Sequence, residues 1–83
     1  MATRPRRIVA RPDPKDWGDD ELMTLAEAAN LMWPLGPLSA SSLRTAYRSG
    51  LLETVLLARK LMTTKAALRG MTEAARRPAR ERP

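Results

Sequence analysis

Residues 47–70, YRSGLLETVLLARKLMTTKAALRG, admit two readings. As one helix they place Leu52, Val55, Leu56, Leu61 and Leu68 at loose three-to-four spacing. As separate elements they give a strand in ETVLL (53–57), a basic tip ARK (58–60), a second strand in LMT (61–63), and a helix opening in TKAALRGM (64–71). Both faces of the first run are largely apolar, so periodicity does not separate the two. Gly50 breaks the helical pattern ahead, and the β-branched Val55, with Thr63 and Thr64 behind it, weakens a continuous helix. ARK interrupts the apolar run with the length and polarity of a hairpin tip. The strand-turn-strand reading is therefore preferred, and it projects Arg59 and Lys60 at the end of a β-ribbon.

Just upstream, Ser39 is placed to cap a helix in ASSLRTAYRS (40–49), with Gly50 past its end as a C′ residue. Leu43, Ala46 and Tyr47 fall at i, i+3, i+4 and are expected inward. Ser41, Arg44, Thr45 and Arg48 fall at i, i+3, i+4, i+7 on the opposite face. That face has hydroxyls and guanidinium groups and no carboxylate. Its donors suit phosphate and the O6/N7 edge of guanine, although an ordinary solvated helix surface is the competing reading.

An earlier helix is marked by TLAEAANLM (24–32). Thr24 and Glu27 form a capping box, Met23 is positioned to staple onto Ala28, and Leu25, Ala28, Ala29 and Met32 share a face. Pro34 disfavours helical geometry at Trp33, so the helix stops there. The connection WPLGPLS (33–39) is longer than a tight helix-turn-helix turn. Trp33 is either a binding contact or a lid over a small core. The last helix is capped by Thr63 or Thr64, and Ala67, Leu68, Met71, Ala74 and Ala75 give it a period near 3.6.

The chain has 83 residues, room for one domain, and a net charge of +6 with a pI near 11.1, so a polyanionic partner is the first expectation. Residues 1–20 are read as a basic, then acidic, flexible arm. Three prolines and Arg4, Arg6, Arg7 and Arg11 suit either a phosphate-tracking arm or a solubilising tail. Residues 21–76 are the folded domain and 77–83 a flexible basic tail. The expected core comprises Leu25, Ala28, Ala29, Met32, Leu43, Tyr47, Leu52, Val55, Leu56, Leu61, Leu68 and Met71.

The sequence contains no Cys and no His, which removes thiolate and imidazole metal sites, Ser-His triads and Cys nucleophiles. Asp19, Asp20 and Glu21 lie in a polar segment with nothing apolar to raise a carboxyl pKa. The chain is accordingly read as a non-enzyme with no cofactor and no small-molecule substrate. No apolar run approaches the roughly 18 residues of a membrane span, and no signal-peptide core follows the basic start. A cytoplasmic location without membrane association is expected.

The order LMTLAEAANLM (22–32), then PLSASSLRTAYRSGLLETVLLARKLMTTKAALRGM (37–71), resembles the excisionase-like, MerR-superfamily winged helix-turn-helix proteins. The likeness runs over residues 22–72 through Leu22–Ala29, Ser39–Leu43, Arg48–Leu52, Val55–Met62 and Thr64–Leu68. Ala58 stands where the wing usually has Gly, and the WPLGP segment stretches the first connection. The resemblance implies an α+β, mainly helical fold: a small winged helix-turn-helix with a two-stranded wing and a C-terminal helix. It assigns Ser41, Ser42, Arg44, Thr45 and Arg48 to a recognition helix and Arg59 and Lys60 to the wing. By the same resemblance the partners would be double-stranded DNA near an attachment site and a site-specific integrase, within the bacterial nucleoid. The role implied is that of a recombination directionality factor, which bends DNA to promote excision of a mobile genetic element. A small transcription regulator of the same fold is the alternative. Self-association along DNA is also expected, with Leu51, Leu57 and Met62 as candidate contact residues.

Overall fold

Thr24 opens the first long helix through a reciprocal cap. Its hydroxyl accepts the Glu27 amide at 3.1 Å, and the Glu27 carboxylate accepts the Thr24 amide at 2.8 Å. In this computed structural model, which describes residues 5–76, the elements are α1 (Arg6–Ala10), β1 (Met23–Thr24), α2 (Leu25–Met32), α3 (Ala40–Arg48), β2 (Val55–Leu57), β3 (Lys60–Thr63) and α4 (Lys65–Ala75). A 3-10 turn spans Pro14–Asp16. The result is a small α+β fold with a three-stranded antiparallel sheet in the order β1-β3-β2. Arg4, with the rest of residues 1–4, and the tail 77–83 lie outside the described residues.

The stretch after Gly50 is a hairpin followed by a helix. Val55, Leu56 and Leu57 pair with Met62, Leu61 and Lys60, leaving the two-residue turn Ala58-Arg59. Both turn residues have positive φ, 49° at Ala58 and 68° at Arg59, as a turn matching the strand twist requires. Met23–Thr24 adds a short third strand along β3, pairing with Thr63 and Met62. Thr64, rather than Thr63, caps α4, accepting the Ala67 amide at 3.1 Å. Thr63 ends β3, buried, with its hydroxyl donating to the Glu53 carbonyl at 3.0 Å.

Ile8, Trp17, Met23, Leu25, Ala28, Ala29, Leu31, Leu43, Leu52, Leu68 and Met71 form the core. Each large member buried there contributes about 1.5–3 kcal/mol. Trp33 is half-buried against this cluster, so it acts as a lid. Val55, Leu56 and Tyr47, expected inside, are exposed. The hairpin runs out from the body, and its far strand finds no layer to cover it. Met32 is half-buried, and Leu31 takes the fully buried place at that end of α2.

The segment expected to be an extended arm is folded from Pro5 onward. Ile8 and Trp17 enter the core, and Trp17 Nε1 donates to the Arg11 carbonyl at 2.8 Å. The Arg11 and Arg7 guanidinium carbons lie 4.1 and 4.9 Å from the Trp17 ring centroid. Arg11 also pairs with Glu21, and Arg7 with Glu27 at 3.2 Å. Lys65 Nζ fastens this segment to α4 by donating to Pro14 O at 2.8 Å and Trp17 O at 2.7 Å. The domain boundary therefore does not fall at residue 21. Among the described residues, no helix is long and apolar enough to cross a membrane.

Candidate nucleic-acid interface

The Ser39 hydroxyl accepts the Ser42 amide at 3.3 Å, and Ser42 Oγ accepts the Ser39 amide at 3.2 Å, which starts α3. The helix stops at a left-handed Gly50 (φ 81°), where the Leu51 amide reaches back to the Ala46 carbonyl and the Gly50 amide to that of Tyr47. This pair of bonds is a Schellman stop. Leu43, fully buried, anchors the inner face and so fixes the rotation of α3. Ser41, Arg44, Thr45 and Arg48 are exposed on the outer face, as their spacing requires.

Not every hydroxyl on α3 remains available. Ser42 is half-buried and committed to the cap, which removes it from the expected contact set as a primary donor. Thr45 Oγ1 donates to the Ser41 carbonyl one turn back at 3.2 Å, leaving lone pairs to accept but its proton engaged.

The cations divide into two groups. Arg7, Arg11, Lys65, Arg69 and Arg76 are each in an ion pair with a carboxylate. The side chains of Arg44, Arg48, Arg59 and Lys60 are exposed and have no ion pair or hydrogen-bond partner among the described residues. Arg6 is also exposed, whereas Arg7 and Arg11, expected in the arm with it, are turned onto Trp17 and the acidic residues. Their guanidinium groups neutralise the chain's own carboxylates at the surface of the fold.

Arg44, Arg59 and Lys60 meet around one cleft of about 310 Å³, whose wall is completed by Thr24, Leu25, Ala26, Ala40 and Leu61. The first turn of α2, the start of α3 and the hairpin tip thus converge. The first turn of α2 stands beside the three side-chain cations, with its dipole partly offset by the Glu27 carboxylate that closes the cap. Such a concavity accommodates an anionic oxygen group. Arg48 stands one turn further along α3, extending the basic strip beyond the cleft.

Sequence spacing did not disclose two contributors. The first turn of α2 lines the cleft because β1 pairs with β3 and draws Thr24 beside the hairpin. Tyr47 follows Arg44 by one turn and is 39% exposed, so its hydroxyl belongs to the surface and not to the core. Its i, i+4 relation to Leu43 disguised that position as apolar. No protein-family model, curated protein or solved structure matches the chain.

Proposed function

We propose that the protein is a winged helix-turn-helix DNA-binding protein in which α2 and α3 form the helix-turn-helix and β2–β3 the wing. α3 enters the major groove with Arg44 and Arg48 toward base edges and Ser41, Thr45 and Tyr47 beside them. Arg59 and Lys60 reach the flanking phosphates or minor groove. The observation that carries this reading is the convergence of the unpartnered Arg44, Arg59 and Lys60 on one cleft beside the exposed face of α3. A phosphate seated there would fix the register of α3 on the duplex, leaving Arg44 to discriminate bases.

Within that reading, the resemblance over residues 22–72 supports the role of an excisionase-like recombination directionality factor. It would bind and bend attachment-site DNA and direct an integrase toward excision, a task that needs no catalytic group of its own. The deciding experiment pairs two measurements. Duplex binding followed by fluorescence anisotropy should show Arg44→Ala costing about 1–3 kcal/mol and losing preference among bases. Excision by a cognate integrase should rise when the protein is added. Unchanged affinity and base preference in Arg44→Ala would remove α3 from the groove. DNA binding without any effect on recombination would leave a DNA-binding protein of another role.

A further inference from the structure

The order β1-β3-β2 leaves β2 as an open edge, and Val55, Leu56 and Leu57 are 44, 67 and 48% exposed. An edge strand is ordinarily guarded by a charge, a proline or a bulge, because its free amides and carbonyls invite another strand. β2 contains none of these guards. The hydrogen-bonding sense of that edge follows from the turn. A two-residue hairpin makes Leu57 and Lys60 the closing hydrogen-bonded pair, so the backbone groups of odd-numbered residues point to β3. The Glu53 carbonyl, bonded to Thr63, obeys the same rule. The amide and carbonyl of Leu56 are therefore directed outward.

We infer that β2 pairs with β2 of a second copy of this chain, antiparallel and about a two-fold axis through Leu56, forming a six-stranded sheet across the dimer. The side chains are self-complementary in that register. On one face the order along the strand is Glu53, Val55, Leu57 and then the turn residue Arg59: acidic, apolar, apolar, basic. Reversed by the two-fold, Val55 meets the second copy's Leu57, and Glu53 comes alongside the second copy's Arg59 turn, twice per dimer. Glu53 and Arg59 are exposed and have no ion pair among the described residues. Opposite charges across a strand pair favour this register, and a shift by one residue is barred because it would set the outward amide and carbonyl of Leu56 against a residue whose backbone groups point to β3. Growth beyond two copies is blocked at the outer edges, since β1 is only two residues long and runs straight into α2. A three-residue strand makes a small interface, below about 1,200 Å², so the dimer belongs to the weak, reversible class. The contact does not depend on DNA binding and can be tested in its absence.

Because the chain has no cysteine, single cysteines report the register directly. Val55→Cys and Leu57→Cys are made separately, both at exposed sites, and oxidised mildly alone and as an equal mixture. In the proposed register Val55 and Leu57 of the second copy form a non-hydrogen-bonded pair with Cα atoms about 4.5 Å apart, within disulfide range. Like positions lie about 7–8 Å apart on the diagonal, beyond it. The mixture should therefore yield a disulfide heterodimer at least about tenfold faster than either variant alone. Equal rates in all samples would overturn the pairing. The unsubstituted protein should show a concentration-dependent rise in sedimentation coefficient; a constant monomer value up to about 1 mM would also overturn it. Glu53→Arg and Arg59→Glu should each weaken dimerisation about tenfold, and the double exchange should restore it. No recovery in the double variant would reject the Glu53–Arg59 register.

Discussion

Arg7 Nη1 lies 3.2 Å from Glu27 Oε1, the same oxygen that accepts the Thr24 amide at the start of α2. One carboxylate thus closes a helix cap and holds the amino-terminal segment against the domain. It is nearly buried, at 8% exposure, which makes both partners necessary. Glu27→Ala should lower stability by about 1–3 kcal/mol, since the cap and a charge-assisted bond go together. Glu27→Gln, which keeps a cap acceptor, should cost less. Urea denaturation followed by circular dichroism measures both; equal losses would mean that the charge carries the whole effect, and no loss in Glu27→Gln that the ion pair adds nothing.

Acid should loosen the same region through Glu21. The Arg11 hydrogen bond, the Gly18 amide and the positive charges of Arg11 and Arg7 hold its carboxyl below the ordinary 4.5. A depressed folded-state pKa contributes stability that is complete above the unfolded value and is lost as pH falls through the folded one. The difference in melting temperature between the wild type and Glu21→Gln should therefore be constant above about pH 6 and shrink below 4.5. A difference that persists unchanged into strong acid would assign the effect to something other than ionisation.

The hairpin turn holds Ala58 and Arg59 in the left-handed region without a glycine. Non-glycine residues are disfavoured there, and asparagine is the best tolerated. Ala58→Asn should raise stability by about 0.5–1 kcal/mol and leave duplex affinity unaltered. Differential scanning calorimetry and anisotropy read the two quantities on the same sample. A lowered melting temperature would show that the methyl group of Ala58 has a packing role that its exposure does not suggest.

Lys60→Ala should weaken binding to every duplex by a similar factor, because a phosphate contact contains no base information. The slope of log K against log salt should become shallower by about one unit. Selective weakening on a single sequence would instead place Lys60 at a base edge.

The Thr24–Glu27 capping box was readable because its partners are three residues apart, and Ser39 was readable as a cap, whereas the return bond from Ser42, expected on the contact face, was not. The Gly50 stop was also readable, being a local backbone requirement. Ile8, in the short run Ile8-Val9-Ala10, and Trp17, alone among prolines and charges, gave no periodic signal, and a five-residue helix has space for only one buried position. Arg7 and Arg11 at i, i+4 could have signalled the clamp, given the acidic residues that follow, but only Trp17 makes them converge. Val55 and Leu56 misled in the other direction. Apolar character alone cannot tell a strand facing a core from one at an unpaired border. At the candidate interface, the outward placement of Arg44 and Arg48 followed from helical spacing, whereas the approach of α2 to the hairpin depended on a strand of two residues.

The ammonium of Lys65 sits between two carbonyls, Pro14 O and Trp17 O, separated from it by 51 and 48 positions along the chain. During synthesis the early segment must wait for this late bolt to leave the ribosome. Until then the Pro14 and Trp17 carbonyls lack this donor. Closure of the segment from Pro14 to Trp17 thus depends on α4, formed from residues far along the chain.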